Sequence, residues 1–134
     1  MEYAKSCEDT LDQFVSARYN VKRETYKYAI FDWTGEANVE LKTRYNYHYS
    51  AFEWLTANDI KINYARRSDK PSYFLYWFRN GDLYEWKFDP KQDMERLTNG
   101  DPRREGHIKE RPHINRAWMT KIANIPLPVE KCYI

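Results

Sequence analysis

YKYAIFDWTGEANVELKTRY, residues 26–45, decides how this chain folds. On an extended backbone, side chains alternate between two faces. Residues 26–33 then put Tyr28, Ile30 and Asp32 on one face and Ala29, Phe31 and Trp33 on the other. Thr34-Gly35 opens a turn. Residues 37–45 alternate again, with Val39, Leu41 and Thr43 on one side and Glu40, Lys42 and Arg44 on the opposite side. The short connection through Gly35 makes the two strands antiparallel neighbours. Three charges in a row would be ordinary solvated groups on an exposed edge. Inside a cleft they would be chemistry.

Upstream, residues 21–25 read as a short strand and residues 4–18 as a helix. Cys7, Leu11, Phe14, Val15 and Arg18 recur there at three- and four-residue spacing. Ser6, Glu8 and Asp9 suit its first turn. Downstream, residues 51–55 (AFEWL) read as a short extended piece. Asn58 or Asp59 then caps a helix running to about Arg67, with Lys61, Arg66 and Arg67 giving it a basic face. Residues 72–79 and 82–88 form the clearest hairpin, with Asn80-Gly81 as a two-residue turn. Residues 91–112 are polar, with Asn99-Gly100-Asp101-Pro102 at their centre, and read as a long loop. Apolar character returns over 113–134, where the prolines extend the IPLP segment.

A chain of 134 residues suits one domain. The expected architecture is α/β, a mixed central β-sheet flanked by helices. An aromatic share of 17% against only four glycines points to a sheet core of large flat side chains. Net charge is +2, so charge alone demands no nucleic-acid partner. No apolar run approaches a membrane span and no basic-then-apolar leader opens the sequence, so a soluble, intracellular protein with no membrane partner is expected. Cys7 and Cys132 read as two reduced thiols, with a bridge tying the ends together as the alternative.

The charged face of residues 37–45 fits one chemistry. Phosphodiester hydrolysis uses a hard cation held by carboxylates, which polarises a phosphoryl oxygen and lowers the pKa of an attacking water. A lysine beside it can orient that water and offset phosphate charge. Asp32 closes one strand, while Glu40 and Lys42 share a face of its partner, in a D-x7-E-x-K arrangement. The Leu41 carbonyl lies between those two side chains as a further ligand. The triplet alone decides nothing, because it also occurs at 59–61, 85–87 and 89–91, and chance gives roughly one or two. Only Glu40–Lys42 follows a strand ending in Asp across a tight connection.

The order helix, strand, strand ending in Asp, strand with E-x-K, helix, strand resembles the core of the PD-(D/E)xK nucleases. FDWTGEANVELKTR resembles that family's central motif, with Asp32, Glu40 and Lys42 in the matching positions. The FLYWFRNGDLYEWKF hairpin is similar to small nucleases of phages and large viruses. One departure is Phe31, standing where the family usually has Pro. The resemblance implies a restriction-endonuclease-like core, with Mg²⁺ or Mn²⁺ held by Asp32, Glu40 and Leu41, and cleavage of nucleic acid, DNA in the first instance. If the protein is viral, it implies the host cell's cytoplasm. Members often carry a Glu on the first helix. Glu8 is the candidate, with Asp12 and Glu24 as alternatives. Dimerisation is common among such nucleases because two sites cut two strands.

Arg44, Lys61, Arg66, Arg67, Arg103 and Arg104 are the candidates for phosphate contact, with Arg111 beside them. Arg103-Arg104, in the predicted loop, reads as a nucleic-acid arm. Each basic residue taken singly also fits a plain surface charge. Tyr45, Tyr47 and Tyr49 alternate past the motif, as groove lining or as cross-strand packing. His48, His107 and His113 lack zinc-ligand spacing with the cysteines. The rival reading is a non-catalytic module that binds nucleic acid or protein.

Overall fold

Leu11 and Val15, with Cys7 one turn before them, form the buried stripe of an amphipathic helix, α1 (Glu2–Tyr19). Asn20 ends it in the left-handed conformation (φ 54°). The computed structural model describes residues 2–128, so Cys132 and the last part of the 113–134 segment lie outside the described residues. The remaining elements are β1 (Val21–Arg23), β2 (Trp33–Gly35), β3 (Asn38–Arg44), β4 (Trp54–Thr56), α2 (Asp59–Arg67), β5 (Ser72–Phe78), β6 (Asp82–Lys87), β7 (Glu95–Asn99), β8 (Lys109–Asn115) and β9 (Thr120–Asn124).

Six strands form one mixed sheet in the order β1-β2-β3-β5-β6-β9. Only β3 and β5 run parallel, because the segment containing β4 and α2 crosses over between them. The sheet has two buried faces. Val39, Leu75 and Trp77 pack with Leu11 and Val15 of α1. Phe74, Tyr76 and Trp86 pack with Ile62 and Ala65 of α2 and with Leu55 and Ile114 of the second sheet. That second sheet has three strands in the order β4-β8-β7. The described residues are therefore a single α/β domain, as expected. None of their helices is long and apolar enough to cross a membrane.

Aromatic bulk builds the core, and each of its three fully buried indoles finds a polar partner for its N–H. Trp33 donates to Asp12 at 2.8 Å, Trp77 to the Ile125 carbonyl at 2.9 Å and Trp86 to Gln92 at 2.6 Å.

Three expectations are corrected. Residues 26–33 are not a strand. Apart from Trp33, which opens β2, this stretch lies in a loop between β1 and β2. Glu24 N–H closes the loop on the Asp32 carbonyl at 2.8 Å, and Ala29 N–H turns back to the Tyr26 carbonyl at 3.1 Å. Tyr26 and Tyr28, 66% and 68% exposed, supplied the alternation without taking part in a sheet. The Asn80-Gly81 turn is a three-residue loop rather than a two-residue one. The pairing of Trp77 with Leu83 leaves residues 79–81 between the strand ends, and Gly81 takes a positive φ of 91°. Residues 91–112 are not one long loop, because β7 and the start of β8 pair antiparallel within them. All five residues of β7 are exposed, so no buried alternation marks it as a strand.

Candidate active site

Trp33 pairs with Val39 and Thr34 with Asn38, and there the β2–β3 ladder stops. Extending its register by one residue sets Asp32 opposite Glu40. A side chain carries the pairing on: Asp32 Oδ2 accepts the Leu41 N–H at 2.9 Å. Within a strand, the N–H and C=O of one residue face the same edge. The Leu41 carbonyl therefore shares the edge at which Asp32 sits.

Glu40 pairs with Phe74 across the parallel ladder, so its side chain enters the face beneath α2, where it is 4% exposed. Lys42 follows two residues later on that same face. The first turn of α2 supplies a third group. Asn58 caps the helix, accepting from Ile60 N–H at 2.9 Å and Lys61 N–H at 3.3 Å. From that turn Lys61 Nζ donates to Glu40 Oε2. Glu40 Oε1 is buried and has no hydrogen-bond partner.

The electrostatics follow from this enclosure. Burial pushes the Glu40 carboxyl up to about 7 and the neighbouring Asp32 charge adds to the rise, while Lys61 and Lys42 oppose it. Burial draws the Lys42 ammonium down to about 8, against the pull of Glu40 and Asp32. Asp32 and Lys61 thus both act on the buried Glu40 and on Lys42.

Three acids were candidates for the group that completes the set. Asp12 accepts from the Trp33 indole at 2.8 Å and from the Ser16 hydroxyl at 3.0 Å. Glu24 accepts from the Thr34 hydroxyl. Glu8 lies within the field of Asp32. Its carboxyl is held above the ordinary range by burial and then by Asp32, with Arg23 at 3.3 Å opposing. Glu8 also lines a cleft of about 280 Å³ with Leu41, Thr43 and Tyr45.

The groups able to hold an ion are the Asp32 and Glu40 carboxylates and the Leu41 carbonyl. Among the described residues, no three His, Cys, Asp or Glu side chains gather to hold one by themselves. A site here would have to combine two carboxylates with one backbone oxygen. Its oxygen chemistry and the orphaned Glu40 Oε1 fit a hard cation.

The basic candidates divide. Lys61 belongs to the centre rather than to the outer surface. Arg44 lines a cleft of about 470 Å³ with Tyr45, Tyr47 and Arg111. Arg67 lies over the Tyr64 ring at 5.7 Å, and Arg66 over Phe88 at 5.4 Å. Arg103 and Arg104 do not form an extended arm. Arg103 is held by Asp101 at 3.0 Å, Asp101 N–H donates to His107 at 2.6 Å, and His107 N–H bonds back to the Arg104 carbonyl at 3.1 Å. This short compact loop already balances the Arg103 charge.

Tyr49 stacks on Tyr84 with centroids 4.1 Å apart, so it is packing rather than groove lining. His113 is buried between Thr56 and the Arg111 carbonyl, and His48 is exposed. Sequence reasoning weighed Lys61 as a group approaching the cleft from the second helix or as a plain surface lysine. The Asn58 cap that aims it was legible, but its partner Glu40 was not. Lys109, which lines a small cleft with Lys42 and Arg111, lay in the stretch read as loop.

No protein-family model matches this chain, and no curated protein or solved structure matches it.

Proposed function

We propose that the protein is a divalent-metal-dependent nuclease that hydrolyses phosphodiester bonds, with DNA as its first expected substrate. The observation that carries this reading is Glu40 Oε1. It is a buried carboxylate oxygen with no partner, across the strand edge from Asp32 and on the face of Lys42. A buried acceptor left unsatisfied is costly, and an ion would satisfy it. The order α1, β1, β2, β3, β4, α2, β5, with β5 parallel to β3, supports the resemblance to a PD-(D/E)xK, restriction-endonuclease-like core, although Asp32 precedes β2 instead of ending a strand.

In this reading Asp32, Glu40 and the Leu41 carbonyl hold Mg²⁺ or Mn²⁺. The bound cation would polarise a phosphoryl oxygen and make water a better nucleophile. Lys42 orients the attacking water and offsets the negative charge that grows on the phosphate. Water oxygen bonds to phosphorus as the bond to the departing sugar oxygen breaks, with one proton lost from the attacking water to solvent and one taken from solvent by the departing oxygen. Lys61 leaves Glu40 for a phosphate oxygen, so its charge moves from protein to substrate. Arg44 holds the strand beside the scissile bond, and Glu8 bears on the centre through Asp32.

The test is calorimetric titration with Mn²⁺, paired with incubation on plasmid, linear and single-stranded DNA with and without the ion. Ion uptake lost in Asp32→Ala, together with cleavage that needs the ion, is expected. A wild-type chain that takes up no Mn²⁺ yet binds DNA in chelator would overturn the hydrolase in favour of a binding module.

A further inference from the structure

Beside the centre lies a second feature that the hydrolytic reading does not use. The 24–32 loop and the C-terminal half of α2 enclose a cleft of about 780 Å³. Three aromatic residues line it, and Tyr26 and Tyr64 present their rings while Phe31 is buried behind them. Phe31 and Tyr64 meet edge to face at 5.9 Å, and Tyr26 stands at the mouth, 66% exposed. Tyr64 is itself 43% exposed. Tyr28, alongside Tyr26 at 5.6 Å, extends the exposed aromatic surface beyond the mouth.

The rest of the lining suits the phosphate of a nucleotide. Asn38 and Ser68 form the polar floor, where the Asn38 amide donates to Ser68 Oγ at 3.1 Å and Ser72 Oγ at 3.2 Å, so they shape the cleft while the rim supplies the charge. Arg67 and Lys70 bring positive charge, and Lys27 adds another over Tyr28 at 5.3 Å. Two acids share the rim. Glu24 is taken by the Thr34 hydroxyl, and Asp69 stands between Ser68 and Lys70.

The cleft is joined to the centre twice. Phe31 precedes Asp32 in the chain. Tyr64 follows Lys61 by three residues, which puts both on one side of α2 about one turn apart. A base lying against Tyr64 would leave its phosphate beside Lys61.

We infer that this cleft is a nucleobase subsite, and that the protein engages its substrate as an unpaired strand whose base is held between the 24–32 loop and α2. A base inside an intact duplex shows only its edges, so ring stacking requires a base out of the helix. The placement of the phosphate rests on the nuclease reading, whereas the base subsite does not.

The experiment is fluorescence anisotropy in chelator with a short labelled oligonucleotide, presented single-stranded and as its duplex. Cleavage of both in Mn²⁺ is followed alongside. The single strand should bind about tenfold tighter or more. Tyr64→Ala and the more exposed Tyr26→Ala should each weaken it by about 5- to 100-fold, the loss expected for one stacking ring, while Tyr→Phe at either position keeps the affinity. Tyr26→Ala decides the matter if Tyr64→Ala disturbs packing on Phe31. Alanine variants that bind single strands like wild type, or a preference for duplex, overturn the subsite, and metal-dependent cleavage in the same samples would leave the hydrolase standing. Ring-dependent strand binding with no cleavage supports the subsite and removes the hydrolase.

Discussion

Lys61, in the first turn of α2, is ion-paired to one carboxylate oxygen of Glu40 on β3, and the other oxygen of that carboxylate is buried without a partner. The two residues are far apart in sequence and come from different layers of the fold. Leaving a buried carboxylate oxygen unsatisfied costs about 1–3 kcal/mol. In the proposed reading an ion would satisfy it, with the Asp32 carboxylate and the Leu41 carbonyl at the same strand edge as companion donors.

If those donors hold the ion, the variants separate cleanly. Asp32→Ala and Lys42→Ala should each lower kcat by about 100- to 1000-fold or more, the scale set by removing one electrostatic stabiliser from a reaction centre. Both should keep wild-type circular dichroism, because neither side chain belongs to the hydrophobic core. Plasmid nicking followed in Mn²⁺ checks this, and wild-type-like rates in both variants would remove the assignment.

Lys61→Ala leaves Glu40 buried without its counter-charge. In chelator the variant should lose about 1–3 kcal/mol, less than a fully buried pair would forfeit because Lys61 is partly exposed. Added Mn²⁺ should restore much of the loss by supplying the missing positive charge. Urea denaturation with and without the ion measures both effects. A variant as stable as wild type in chelator would mean that the pair contributes nothing.

The metal-free protein should be least stable between about pH 7 and pH 8. Glu40 has its folded pKa raised from 4.5 to about 7, so its contribution is fully present below 4.5 and is lost as pH rises through 7. Lys42 has its folded pKa lowered from 10.5 to about 8, so its contribution is present above 10.5 and is lost as pH falls through 8. Thermal melts across this range in chelator should show the minimum. Glu40→Gln should remove the acid side of it while leaving the alkaline rise.

Asn58→Ala should cost about 1 kcal/mol, the usual loss for an N-cap whose side chain accepts from the first-turn amides. Asn58→Asp should keep most of the stability. Because the cap holds the turn that carries Lys61, Asn58→Ala should also weaken Mn²⁺-dependent cleavage severalfold without touching the donors. A variant with lowered stability and unchanged cleavage would show that Lys61 is aimed by packing alone.

Local sequence determined much of this protein. The spacing of Leu11 and Val15 made α1, Asn58 started α2, and the runs on either side of Asn80-Gly81 made β5 and β6. Glu40 and Lys42 were bound to share a face because a strand repeats every two residues. Where local pattern and burial parted, the sequence misled. Tyr26 and Tyr28 alternate like strand residues yet stand in solvent, and β7 pairs through its backbone while every side chain is exposed. The tertiary structure alone decided that Asp32 meets Leu41 through a side chain, that Asp12 is taken by Trp33 and Glu24 by Thr34, and that Lys61 reaches Glu40. Each of these depends on which element packs over which edge of the sheet. Such contacts join positions distant in the chain, and periodicity carries information only about near neighbours.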